Sequence, residues 1–271
     1  MPELQCPNDR RHPLEIDSRV AFFDESFNGV VSCRDRHEYN ISHNIIDLLP
    51  HTGMPGSSIA NYSNNFTFTA SVYENQWRKR SIGILSGQDF SMDDEASLMM
   101  SWIGDPSGKV ILDIGTSTGF YARTISKSAK KAEVFALDIS EPMLRQAIRN
   151  GKNENTGFYP LRADAARLPF FDDQVDVIVC GGTYNELYEP ENVLREMRRV
   201  LKPEGICFMM YLTSAESLTG RLLQTGLAPG GVHFPKPKTV KRQFRESGFS
   251  STKHRKLGIV NFELLKSVTT Q

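Results

Sequence analysis

The chain has 271 residues, long enough for one large α/β domain and a small appendage, and its 32 Lys and Arg balance 32 Asp and Glu. A net charge of zero excludes a protein drawn to nucleic acid or anionic membrane by its overall field. No apolar run approaches membrane-spanning length, and the first residues, MPELQCPNDRR, lack the apolar core of a signal peptide. Four cysteines in a chain read as unexported and cytoplasmic argue for thiols or metal ligands over disulfides, and Cys180 and Cys207 fall in apolar, core-like runs.

Residues 1–50 read as a separate unit. Cys6-Pro-Asn-Asp9 is followed by a mixed charged and apolar stretch, then Cys33-Arg-Asp-Arg-His37-Glu-Tyr39, then Ile45-Ile-Asp-Leu-Leu-Pro50. Two short knuckles flanking a hairpin have the layout of a zinc ribbon. The pattern resembles the amino-terminal zinc module of bacterial 23S rRNA guanine-N1 methyltransferases. That resemblance implies metal ligation by Cys6, Cys33 and His37, with Asp9 standing where the family has a second cysteine. Structural zinc sites favour thiolate and imidazole, so two readings stand. One is a site with Asp9 as the fourth ligand; the other is a metal-free ribbon held by Phe22, Phe23 and Phe27. His12 is a poorly spaced substitute ligand, and His43 and His51 read as loop residues.

Residues 51–92 read as a linker and a lid. His51 to Asn65 is rich in Gly, Ser, Asn and Pro. A helix is expected over Thr69 to Arg80, with Tyr73 and Trp77 on one face. Tyr73 is a candidate to close over a bound cofactor, with packing as its alternative; Trp77 reads as packing. Ser91 and Asp94 make an acidic capping pattern for a helix from Asp93 to Ile103, whose Leu98, Met99, Trp102 and Ile103 form a core-facing stripe.

Residues 93–271 alternate strand and helix at βαβ intervals, implying a parallel sheet covered on both faces. The decisive stretch is KVILDIGTSTGFYARTI, Lys109 to Ile125: an apolar strand, Asp113, a turn over Gly115, Thr116, Ser117 and Gly119, then a helix. Glycines let a backbone approach a ligand, and the helix start offers free N–H groups. The spacing is not the dinucleotide G-x-G-x-x-G, and no phosphate-binding G-x-x-x-x-G-K-[ST] occurs. An acid before the first glycine suits a cationic ligand better than a pyrophosphate.

This stretch resembles the first motif of class I S-adenosylmethionine (SAM)-dependent methyltransferases. Further strands are expected at Ala132 to Leu137, Phe158 to Leu161, Val175 to Cys180 and Ile206 to Tyr211. The run DQVDVIVCGG…VLREMRRVLKPEGICFMM looks like the ubiquinone/menaquinone-type branch. The resemblance implies a Rossmann-like, seven-stranded, mostly parallel sheet with a final antiparallel strand. It implies ribose binding by Asp138 beside Ile139, adenine binding at Asp164 and Ala165, and Gly181 at the crevice wall. Ser117 departs from the glycine usual there. The tail reads as a helix and a Gly/Pro loop over Ser214 to Gly231, a helix from Thr239 to Ser247, and strands Ser251 to Leu257 and Asn261 to Ser267.

Methyl transfer from a sulfonium needs alignment, and a base only where the acceptor must shed a proton early. Tyr184, Asn185 and Glu186 follow the fourth strand of the core, and His233 sits in the loop GGVHFPKPK. His233 and Tyr184 are the catalytic candidates, with an ordinary loop histidine and a packed tyrosine as alternatives. The first expectation is transfer to a small organic acceptor, a specialised metabolite or quinone-like molecule. An rRNA guanine methyltransferase is the alternative, and an inactive SAM-binding scaffold the second. Residues 1–50 carry nine acids against five arginines, which disfavours an RNA reader, whereas Lys236 to Lys256 holds eight bases against Glu246.

Overall fold

The computed structural model describes residues 2–15, 27–49, 79–129, 131–217, 221, 224–225 and 232–268. Tyr73, Trp77, His51, Phe22 and Phe23 lie outside the described residues, as does most of the helix expected over Ser214 to Gly231. Among the described residues eleven strands form one sheet: β1 (Leu14–Glu15), β2 (Gly29–Cys33), β3 (Glu38–Ser42), β4 (Ile45–Asp47), β5 (Val110–Ile114), β6 (Glu133–Asp138), β7 (Tyr159–Arg162), β8 (Val175–Gly181), β9 (Leu201–Leu212), β10 (Phe249–Leu257) and β11 (Val260–Ser267). Their order across the sheet is β1-β2-β3-β4-β7-β6-β5-β8-β9-β11-β10.

Strands β7, β6, β5, β8 and β9 are parallel, and β11 runs antiparallel between β9 and β10. Their near-continuous apolar runs explain why. Ile111, Leu112 and Ile114 are fully buried although they point to opposite faces, as a parallel strand sandwiched by helices requires. The helices are α1 (Lys79–Ser86), α2 (Met92–Ile103), α3 (Phe120–Ser128), α4 (Glu141–Asn153), α5 (Pro190–Val200) and α6 (Pro237–Glu246). Ser91 and Asp94 close a reciprocal capping box on α2, at 3.1 and 2.8 Å. The buried stripe of α2 is Met92, Glu95, Met99 and Ile103; Leu98 and Trp102 are only partly covered.

The expectation of seven strands beside a detached ribbon needs correction. β4 pairs in parallel with β7, Ile46 opposite Leu161 and Asp47 opposite Arg162, so the amino-terminal strands extend the sheet. The cause is local: Ile45 and Ile46 are both buried, and a strand apolar on both sides needs a covered neighbour, which the outer edge of β7 supplies. Arg162 reinforces the seam, donating to Asp47 at 2.7 Å and to the carbonyl of Ile139 at 3.1 Å. Among the described residues the two outer strands of the sheet are unlike: β1 has two residues, while β10 has nine, exposed from Ser250 to Lys256.

Candidate active site

The carboxyl ends of β5, β6, β7 and β8 lie side by side, and the residues singled out in the sequence meet there. Asp113 is buried, and its Oδ2 accepts from Thr116 Oγ1 at 2.6 Å and from the Ala122 amide at 3.1 Å. It therefore holds the turn and the start of α3 together. Its charge, expected to orient a cationic ligand, sits at the carboxyl end of β5 with Oδ2 held by these two donors. Gly115 must be glycine: its φ is +65°, and a Cβ would stand 2.0 Å from Thr183 Oγ1. Ser117 adopts φ +52°, a left-handed conformation rare for a side-chain-bearing residue. Its amide donates to Asp138 Oδ2 at 2.7 Å, which ties the turn to β6.

Asp138 also accepts the Ser140 amide, on Oδ1, at 2.9 Å. Burial pushes its carboxyl up while the amides of Ser140, Ser117 and Ile139 draw it down. A carboxylate has about four lone-pair sites, so these three amides leave room for a ligand hydroxyl. Asp164 caps the short 3-10 turn Ala165–Arg167 through Oδ1, which accepts the Ala166 amide at 2.9 Å. Gly181 lies against Tyr121, where a Cβ would be 2.5 Å from the ring. Tyr121 in turn hydrogen-bonds to the buried Glu95 of α2.

The turn after β8, Thr183–Glu186, is fixed by Asn185, which is 1% exposed. Its amide group donates to Leu212 O at 2.8 Å and to His233 O at 2.5 Å, while its Oδ1 accepts the Leu212 amide at 2.7 Å. The His233 amide donates to Asn185 O at 2.7 Å. One side chain thus joins the end of β8, the end of β9 and the loop before α6. His233 itself is exposed. Tyr184 is buried, donates to Gln243, and packs between Tyr211 and Phe244 at 5.7 and 6.0 Å. Burial and the charge of Glu191 push its hydroxyl well up. That placement corrects Tyr184 from catalytic candidate to core residue.

Glu186, named in the sequence beside Tyr184 and Asn185 but given no role there, has a state that only the structure shows. Burial and the nearby charge of Asp138 push its carboxyl up to about 7. Two acids near enough for one to shift the other fit a ligand that brings positive charge, as SAM does with its sulfonium and ammonium.

At the far end of the sheet, ligand atoms of Cys6, Asp9, Cys33 and His37 lie within 4.8 Å of one another. Cys33 Sγ is 3.3 Å from both His37 Nδ1 and Asp9 Oδ2, Cys6 Sγ is 3.6 Å from His37 Nδ1, and His37 Nδ1 is 3.4 Å from Asp9 Oδ2. A tetrahedron with metal bonds of about 2.0–2.3 Å has edges of about 3.3–3.8 Å, so the spacing fits zinc. Burial raises the Cys33 thiol to about 11. Burial also works to raise Asp9, but the amides of Arg11 and His12 and the two thiols hold its carboxyl well below the usual range.

Comparison with known proteins decides the family. The family described as "Methyltransferase domain" matches residues 112–209. The demethylmenaquinone methyltransferase of Lactococcus lactis is 30% identical over 185 residues, covering 59% of this chain and 73% of the relative. The chain belongs to the class I SAM-dependent methyltransferases. An uncharacterized chloroplastic methyltransferase of Arabidopsis thaliana is 33% identical over 143 residues, and there this methyltransferase spans only 39% of the relative's length. Among solved structures, a SAM-dependent methyltransferase from Aquifex aeolicus shares the fold with TM-score 0.55 at 22% identity, covering 74% of this chain and 98% of that one. The [4+2]-cyclase SpnF matches with TM-score 0.59 at 14% identity, over 81% of this chain and all of that one, so the fold by itself does not name a reaction. Among the described residues no helix is long and apolar enough to cross a membrane.

Proposed function

We propose that this methyltransferase transfers the methyl group of SAM to a small organic acceptor in the crevice above β5, β6 and β8. The observation that supports it is the joined row of acceptor groups: Asp138 bonded to the Ser117 amide of the glycine turn, with Asp164 one strand further out. When bound, SAM would supply an electrophilic methyl carbon, with S-adenosylhomocysteine as the leaving group, so alignment and exclusion of water account for much of the acceleration. Asp138 accepts the ribose hydroxyls, Asp164 accepts the adenine amino group, and the backbone from Gly115 to Gly119 lies along the methionine portion. Asn185 sets the position of the loop above. Glu186, poised near neutrality, takes the proton from an acidic carbon, oxygen or nitrogen of the acceptor. Several relatives are named demethylmenaquinone methyltransferases, which places quinol-like aromatics first among acceptors to try.

The proposal includes a structural zinc at Cys6, Asp9, Cys33 and His37, where it cross-links the knuckles and has no part in methyl transfer. The test is labelled methyl transfer from SAM to a naphthoquinol and a metabolite extract, with unmodified ribosomal RNA in parallel. Label in a small molecule is expected; label in RNA alone refutes the acceptor class. By calorimetry, Asp138→Ala is expected to weaken SAM at least about tenfold, one hydrogen bond to a charged group being about 1.5–3 kcal/mol. Unchanged affinity rules out the ribose role.

A further inference from the structure

A second cavity, of about 1240 Å³, opens between α5, α6 and β10. Its lining reaches from the rim opposite the crevice to Glu263, which pairs with Met209 toward the carboxyl end of β9. α5 runs back against the strands, so its last turn, with Arg198 and Arg199, sits where the core strands begin, beside Phe249 at the start of β10. Six cations line it: Arg195, Arg198, Arg199, Lys238, Lys241 and Arg245. Arg199 is neutralised by Glu196 and Asp172, at 2.8 and 2.9 Å. Arg195 bonds to Asn192 and lies in the field of Glu191. Glu246, on the rim, is taken by Arg242 at 3.8 Å. Among the described residues no carboxylate comes within ion-pair distance of Arg198, Lys238, Lys241 or Arg245. In a chain of zero net charge, four uncompensated cations around one hollow make an anion site.

The floor asks for something more. Glu263 also lines the cavity and is 1% exposed. Its Oε2 accepts from Tyr211 at 2.7 Å and lies 3.9 Å from His254, but its Oε1 has no hydrogen-bond partner among the described residues. A buried carboxylate oxygen left without a donor is costly, and inorganic phosphate supplies one poorly, since its O–H comes with negative charge that the carboxylate repels. A molecule with phosphate at one end and N–H groups at the other answers both needs. The hollow has small-ligand dimensions, whereas a membrane surface prefers a flat or protruding patch.

We propose that this cavity binds a nucleotide, its phosphate held by Arg198, Lys238, Lys241 and Arg245 and its base donating to Glu263. The inference is independent of the methyl-transfer reading, since the cavity shares no residue with the crevice. The test is calorimetric titration of the full chain with GMP, ribose 5-phosphate and inorganic phosphate, with S-adenosylhomocysteine present to fill the crevice. GMP is expected to bind about tenfold or more tightly than ribose 5-phosphate, the worth of one or two hydrogen bonds to a charged group. Arg245→Glu and Lys241→Glu, both on exposed positions, should weaken GMP and ribose 5-phosphate together and flatten the salt dependence. Glu263→Gln should abolish the preference for GMP while leaving ribose 5-phosphate unchanged. If that variant does not fold, the comparison of the two ligands on the unaltered chain still decides. Equal affinity for GMP and ribose 5-phosphate overturns the proposal. So does a GMP affinity indifferent to Arg245→Glu, or binding confined to single-stranded RNA or to phosphatidylglycerol vesicles.

Discussion

Glu186 shows how neighbours reset a side chain. A glutamate that ordinarily loses its proton near 4.5 is held to about 7, so the folded chain keeps a proton that the unfolded chain has released. Between those values the native state binds more protons than the unfolded one, and stability must fall as pH rises from about 4.5 to about 7, then level off. Glu186→Gln is expected to remove that fall: thermal midpoints of the free proteins should agree in acid and separate toward neutrality, with the variant higher. In the catalytic assay the same variant should lose the rise in rate through neutral pH. A variant that melts in parallel with the parent at every pH refutes the perturbed carboxyl. The motif around Asp113, Asp138 and Asp164 was legible because acids at the ends of successive apolar runs need only counting. Glu186 was not, since its state depends on Asp138, 48 positions away in the chain, and on a burial that no spacing records.

At the scale of elements, the strands of the core were readable from their apolar runs, while their ends moved by a few residues. β9 begins at Leu201, ahead of the expected Ile206, because Leu201 already pairs with Val175 across a register shift. The helix stripe on α2 was half right: buried Glu95 belongs to it because Tyr121 supplies a hydrogen-bond partner, and a charged residue hides from a hydrophobic pattern. Asn185 is the connector that pattern reading undervalued. Removing its side chain in Asn185→Ala leaves part-buried backbone groups of Leu212 and His233 without that partner, at about 1 kcal/mol each. The expected result is a clear drop in thermal midpoint together with a poorer kcat, the second because the His233 loop loses its anchor. Hydrogen exchange at Leu212 and His233 is the direct measurement, and unchanged protection there would sink the connector role.

Across the whole molecule, the amino-terminal strands are where local reading stopped. Ile46 meets Leu161 across 115 positions, and β-pairing over such a distance carries no local signature. The consequence is mechanical: Leu4 bridges to Phe170, the Gln5 amide donates to Pro169 O at 3.0 Å, and Arg10 reaches Glu196 at 2.7 Å, so the knuckles brace the loop that follows Asp164. With zinc in place, the purified chain should hold about one equivalent and melt higher as free zinc rises, by about 2.7 kcal/mol at a hundredfold excess over the dissociation constant. Cys33→Ser should remove both effects. Emission spectrometry showing no stoichiometric metal would reduce the tetrad to a hydrogen-bonded cluster. The two margins of the sheet carry a further consequence. An unpaired margin is a template on which another chain can add itself, and growth from it leads to fibrils. Among the described residues one margin is two residues long, and the other displays Lys253, His254, Arg255 and Lys256, of which the two lysines and the arginine repel an incoming copy. Replacing those four by threonine should leave the fold intact yet turn a well-behaved solution into one that polymerises, visible as a lag-phased rise in light scattering.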